Sequence, residues 1–321
     1  MLRSNFVSQP SQNPATHPRV PPRMGRFEVI REIGEGGMAT VYEALDPSLG
    51  RHVALKLVRA DKRDDSYEHE RLIREAKAIA DIEHPNVITV YEVGRCSEGV
   101  FIAMEYVRGP TLRTWMRATP RPWGEVTRML LKVGRGLAAA HARGITHGDF
   151  KPANVIIGGD ERPRVLDFGL AHCGGTRTSR RSESSTSAMS YQGLDGEHSI
   201  THTTTIDNEE SETVLFAGTP AYMAPEQHKG EAPNHGSDQF SFATVLWEAL
   251  YRQRPFLGRN PFLVSQAIID DRQTPPPVSR VPAWLHRIVD QGIANKPEDR
   301  HESIASMLAA VVFASRVMHG Y

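Results

Sequence analysis

A chain of 321 residues with 38 basic and 38 acidic side chains has no formal net charge, so no electrostatic argument favours nucleic acid or an anionic membrane. A hydrophobic fraction of 39% and a charged fraction of 24% describe an ordinary globular enzyme of one or two domains, and no apolar run approaches the roughly 18 residues of a membrane span. Two cysteines, Cys96 and Cys173, are too few for a disulfide framework and too far apart for metal-ligand spacing, which points to a reducing compartment and hence the cytoplasm.

Residues 1–24 are rich in Pro, Ser, Gln and Arg, contain no acid, and read as a disordered tail. From Phe27 the stretches "FEVIREIG", "TVYEALD", "HVALKLV", "VITVYEVG" and "VFIAMEYV" alternate or cluster β-branched and aromatic residues between turns, as strands do. Between the third and fourth, "YEHERLIREAKAIADIE" places Leu72, Glu75, Ala76, Ile79 and Ala80 at helical spacing. After Gly109 the period is helical, through "TRMLLKVGRGLAAAHARG", "SDQFSFATVLWEALY", "PFLVSQAIID", "WLHRIVDQGIA" and "SIASMLAAVVFASRV". A sheet-rich lobe over 25–106 and a helical lobe over 107–316 are expected, with 317–321 as a tail. Residues 172–213 are Ser, Thr, Gly, His and charge, the composition of a mobile insert.

Three constellations carry chemistry. In "IGEGGMATV", Gly34 and Gly36 fit a phosphate-binding glycine loop, with Ala39 in the third position. Thr40, Val41 and Tyr42 then form strand, so the loop is a hairpin rather than the strand-to-helix turn of a dinucleotide site; a plain glycine hairpin is the alternative. In "VALK", Lys56 lies on an apolar strand, and Glu75 on an apolar helix face needs a cationic partner, so the two are expected to pair. The competing partner for Glu75 is Arg71, one turn earlier. In "HGDFKPANVII" and "VLDFGLA", Asp149, Asn154 and Asp167 converge if the segments pair as neighbouring strands, and their oxygens suit a hard cation such as Mg²⁺.

With "MEY", "GTPAYMAPE", "SDQFSF" and "PEDR" following in order, the chain resembles the bacterial Hanks-type, eukaryotic-like serine/threonine protein kinases over residues 27–316. The resemblance implies an α+β, bilobal protein-kinase fold, with a small β-rich N-lobe holding one main helix and a larger, mostly helical C-lobe. It implies ATP with Mg²⁺, or Mn²⁺ in its place, and protein substrates. Ile33, Gly34, Gly36, Val41, Ala54, Lys56, Glu75, Met104, Glu105, Val107 and Ile156 would bind ATP, with Met104 as gatekeeper and the backbone of Glu105 to Val107 reading the base. Asn154 and Asp167 would hold the metal, Asp149 would accept the substrate proton, and Lys151 would neutralise the transferring phosphoryl group. Ile79, Val90, His147 and Phe168 would stack between the lobes, Asp238 would anchor the catalytic loop, and Glu226 would pair with Arg300. Lys151, Pro152 and Thr219 point to serine/threonine acceptors.

The family's arginine before the catalytic aspartate is Gly148 here, so the receptor that captures an activation-segment phosphate is missing, and basal activity is expected to need little phosphorylation there. His-Gly-Asp also occurs in small-molecule phosphotransferases, but those lack a segment like "GTPAYMAPE". A pseudokinase scaffold would have lost one of Lys56, Asp149, Asn154 or Asp167, all of which stand. The insert is read as an autophosphorylation platform, a docking segment for another protein, or a tolerated insertion. No sensor domain is expected in this sequence.

Overall fold

The computed structural model describes residues 21–35, 39–59, 66–168 and 220–319. Gly36, Thr219 and the insert at 172–213 lie outside the described residues.

The N-lobe is one antiparallel sheet in the order β1-β2-β3-β4-β6-β5, made of Arg23–Met24, Phe27–Glu35, Ala39–Asp46, Arg51–Arg59, Gly99–Glu105 and Val90–Cys96 respectively. Each of the five strands read from periodicity is present within a few residues of its expected span. One helix, α1 (Ser66–Ala80), joins β4 to β5. Strand alternation sorts the lobe into two layers. Met24, Phe27, Tyr42, Leu55, Leu57 and Phe101 fill one core on one face of the sheet. Ala54, Ile102 and Met104 form a second with Ala76 of α1, and Val41, Val90 and Val107 pack against it.

The expected tail boundary shifts here. Arg23 and Met24 pair with Glu28 and Phe27, Val29 N donates to Pro22 O at 3.1 Å, and Met24 is fully buried. A Pro-rich composition hides one apolar side chain that the N-lobe core needs. At the other end the last helix extends to His319, past the expected limit at 316.

The C-lobe holds α2 (Leu112–Ala118), α3 (Trp123–His141), α4 (Pro225–His228), α5 (His235–Tyr251), α6 (Pro261–Ile269), α7 (Ala283–Gly292) and α8 (Ile304–His319). Trp247 and Phe242 of α5, Leu137 of α3 and Met307 of α8 share one large apolar core. Helix α5 is buried nearly all round, which explains its apolar sequence. Asn234 caps it by accepting from the backbone of Gly236 and Ser237. Between the lobes, β7 (Val155–Ile157) and β8 (Pro163–Val165) form a two-stranded ribbon in the register Val155↔Val165, the neighbouring-strand pairing that the sequence required. The loop after α1 docks on it, with Ile88 N donating to Val165 O and Val165 N to Asn86 O.

Candidate active site

The β7-β8 ribbon delivers both halves of the site. The catalytic loop runs into β7 through a 3₁₀ turn, Pro152–Asn154, while β8 runs out into Leu166 and Asp167. Leu166 N donates to Asn154 O at 2.8 Å, which fixes the two segments side by side. Asp167 has φ +59, a left-handed conformation that is uncommon outside glycine and is held here by its surroundings.

Lys56 Nζ donates to Asp167 Oδ1 at 2.7 Å, joining β4 of the N-lobe to the C-lobe ribbon. Lys151 Nζ donates to Asp149 Oδ2 at 2.7 Å, and Asn154 Nδ2 donates to Asp149 O at 2.9 Å. Burial alone would push Asp167 up, but the charge of Lys56 and its hydrogen bond, aided by Lys151, hold the carboxyl below its ordinary value. Asp167 is therefore ionised at neutral pH and faces the cleft, its side chain 37% exposed.

The expected Lys56–Glu75 pair is corrected by this geometry. Lys56 takes Asp167, whereas Glu75 Oε1 accepts from Arg71 Nε at 2.9 Å. Arg71 lies one turn earlier on the same helix, so this is a local i,i+4 pairing within α1.

The other expected site residues lie on or beside the strands of the two lobes. Ile33 and Gly34 lie on β2 and Val41 on β3, with Gly34 paired to Val41 in a hairpin, as the strand formers after the glycines require. Ala54 pairs with Met104 across β4 and β6, and both join the apolar cluster touched by Val41 and Val107. Ile156 lies between buried Val155 and Ile157 on β7, so alternation turns it to the opposite face. Met104, Ile79, Val90, Asp167 and Phe168 line one small cavity behind the cleft.

His147 is fully buried and packs edge-on to Phe150 at 5.5 Å and against Phe168 at 4.9 Å, which makes it a packing group rather than a base. Asp238 accepts from the backbone N–H of His147 at 2.7 Å and of Gly148 at 2.8 Å. Gly148 has φ +78, where a residue without Cβ meets no steric penalty. Glu226 and Arg300 form a bidentate pair at 2.7 and 2.8 Å, almost wholly buried.

Two residues of this scaffold carry no local sequence signal. His141, at the end of α3, places Nε2 2.8 Å from Asp238 Oδ2, and Gln227 Nε2 donates to Gly148 O at 3.0 Å. Both pairings span long stretches of chain, so no sequence period links their ends.

The donor set fits a hard cation. Asn154 commits its amide N–H to Asp149 O, which leaves its carbonyl oxygen to stand with the Asp167 carboxylate as oxygen ligands. Among the described residues no cluster of three or more His, Cys, Asp or Glu can hold an ion alone, which suits a cation that shares its shell with substrate phosphates.

A β-rich lobe over a helical lobe, with a lysine, two aspartates and an asparagine meeting between them, is the architecture of the protein-kinase fold. The sequence profile described as "Protein kinase domain" matches residues 27–192, and that described as "Protein tyrosine and serine/threonine kinase" matches residues 196–308. The chain belongs to the protein kinase domain family. It is 31% identical to a probable serine/threonine-protein kinase of Corynebacterium efficiens, an alignment covering 91% of this chain and 41% of the relative. It is 31% identical to the serine/threonine-protein kinase PknB of Mycobacterium leprae, over 91% of this chain and 43% of that protein. A probable serine/threonine-protein kinase of Streptomyces coelicolor is 33% identical, over 88% of this chain and 39% of its own length. The chain thus spans about two fifths of the length of these relatives. The family implies ATP and a divalent metal. Among the described residues, no helix is long and apolar enough to cross a membrane.

Proposed function

We propose that this chain transfers the γ-phosphoryl group of ATP to serine and threonine hydroxyls of proteins, autophosphorylates, and serves bacterial-type signalling in the cytoplasm. The observation that carries the reading is the contact of Lys56 with Asp167 at 2.7 Å beside Asp149, Lys151 and Asn154. The relatives, named as serine/threonine-protein kinases, support serine/threonine acceptors, as does Lys151-Pro152 after Asp149. The low cysteine usage supports a reducing compartment.

Asp149 orients the acceptor hydroxyl and takes its proton as the new O–P bond forms and the bond to the β-phosphate oxygen breaks. Lys151, held 2.7 Å from Asp149, offsets the charge on the moving group. Lys56 contacts the α- and β-phosphates, and the backbone of Gly34 and Gly36 covers them. Asn154 and Asp167 hold Mg²⁺, with Mn²⁺ as a substitute; the cation neutralises phosphate charge. Val41, Ala54 and Ile156 enclose the base next to Ile33, Met104 and the hinge backbone of Glu105 and Val107. Thr219, by the sequence alone, supports serine/threonine acceptors. The insert at 172–213 serves as an autophosphorylation platform or docks a partner protein, and mass spectrometry after incubation with ATP finds phosphate there if it is a platform.

The test is labelled ATP given to wild type and Asp149→Asn with protein and small-molecule acceptors side by side. Wild type labels protein, and the variant loses about 10²- to 10⁴-fold, the usual worth of a positioned acid/base group. Equal labelling by both, or labelling of small molecules alone, overturns the reading.

A further inference from the structure

The hinge is gripped on both faces by buried charge. Its first two residues, Glu105 at the end of β6 and Tyr106 next to it, find partners on different lobes. On the N-lobe side, Tyr106 Oη donates to Glu43 Oε2 at 3.0 Å. Glu43 lies on β3 with its side chain only 6% exposed, and it is held in turn by Arg31 at 2.7 Å and His52 Nδ1 at 2.8 Å. A carboxylate removed from water in this way is tolerable only because cations and donors surround it.

On the C-lobe side, Glu105 Oε1 lies 2.9 Å from Arg164 Nε, an ion pair whose alignment falls short of a hydrogen bond. The Arg164 side chain is 7% exposed, and its other nitrogens donate to both oxygens of Asp160 at 3.0 Å and to Arg162 O at 3.0 Å. Arg164 lies on β8, three residues ahead of Asp167, so one guanidinium ties the hinge to the strand that delivers the metal-binding aspartate. Just past the hinge the chain is held close to β7: a Cβ on Gly109 would lie 1.9 Å from Ile157 O, and Ile157 N donates to Pro110 O at 2.9 Å.

We propose that Glu43 and Arg164 are positioning residues that clamp the hinge from its two faces, and that they set the affinity for ATP and the preference for adenine over guanine. The inference rests on the kinase reading above and adds the parts that aim its base-reading edge. Adenine and guanine differ in the donor and acceptor pattern of the edge presented to a backbone strip. A strip held in place rejects the wrong pattern, whereas one free to shift by about 1 Å accommodates both. An ion pair that only stabilised the fold would move the melting temperature and leave base preference alone.

The test compares Arg164→Met, Arg164→Lys and Glu43→Gln with wild type for KM and kcat with ATP and with GTP, for melting temperature, and for direct ATP and GTP binding by titration. Arg164→Met and Glu43→Gln are expected to raise KM and the dissociation constant for ATP about tenfold, to narrow the ATP-to-GTP ratio by a similar factor, and to leave kcat within about twofold, the signature of lost ground-state positioning. Arg164→Lys, which can reach one carboxylate but lacks the fork for two, falls between. Unchanged nucleotide binding and base preference with a lowered melting temperature overturns the proposal. If Arg164→Met does not fold, Arg164→Lys and Glu43→Gln decide by the same criteria. If wild type transfers no phosphate, the kinase reading fails, and the binding titrations still decide whether the clamp governs nucleotide recognition.

Discussion

Asp238 holds the catalytic loop from about ninety residues away, its two oxygens accepting from the backbone N–H of His147 at 2.7 Å and of Gly148 at 2.8 Å. The next residue is Asp149, so the anchor fixes the chain just ahead of the proposed base. His141 steadies the same carboxylate from α3. Asn at 238 retains one acceptor oxygen and turns an N–H₂ toward a second donor, leaving one buried N–H unmet. Asp238→Asn is expected to destabilise the fold by about 1–3 kcal/mol, the cost of an unsatisfied buried group, and to lower kcat at least about tenfold through the displaced loop. Urea unfolding and steady-state kinetics on the same preparation check both; normal kcat with lost stability would show that the loop keeps its geometry without this anchor.

The ion pair between Lys56 and Asp167 predicts how the cleft responds to loss of its cation. Lys56→Met keeps much of the buried stem on β4 and removes the charge that faces Asp167. The variant is expected to lose about 10²- to 10³-fold in kcat, the typical worth of one preorganised electrostatic donor. Protein labelling with saturating ATP measures it, and a loss below about fivefold contradicts the role assigned to Lys56.

Much of this site could be read from the chain because local periodicity and motif spacing carry it. Lys56 on β4 and Asp149 and Asp167 beside the ribbon follow from strand alternation and from segments whose order constrains their pairing. The partner of Lys56 could not be read, because Glu75 and Asp167 are both carboxylates within plausible reach and only the placement of α1 decides between them. Met24 could not be read because one apolar residue does not alter the composition of a Pro-rich stretch. His141, Gln227, Glu43 and Arg164 act through partners far away in sequence, where no period links the two ends.

The burial of His147 predicts an acid-sensitive fold. Burial pushes its imidazole below the ordinary value of about 6.5, and the attraction of Asp238, Asp149 and Asp167 does not restore it. Among the described residues Nε2 has no hydrogen-bond partner, as suits a neutral ring between Phe150 and Phe168. The unfolded chain binds a proton below about pH 6.5 that the folded ring refuses, so stability is fully present above that pH and falls as the pH drops toward the depressed folded value. His147→Phe removes this contribution. Measured from pH 7.5 to 5, the variant should gain on wild type as the pH falls; a difference independent of pH would show that the folded ring takes up its proton normally.

The pair of Glu226 with Arg300 gives the largest stability effect expected outside the apolar core. Both Arg300 terminal nitrogens bond the carboxylate, and its remaining donors reach the carbonyls of Ala294, Gly236 and Asn295, so the guanidinium is fully satisfied. Removing either charge strands the other out of water. Glu226→Gln or Arg300→Met alone is expected to cost about 3–5 kcal/mol, whereas Glu226→Leu with Arg300→Met costs less than the sum of the singles because no charge is left unpaired. Glu226 precedes Gln227, whose amide holds Gly148 O, so the single variants also lower kcat by shifting the catalytic loop. Urea unfolding of the two singles and the double variant closes the cycle, and strictly additive losses would mean that the two side chains do not act as a buried unit.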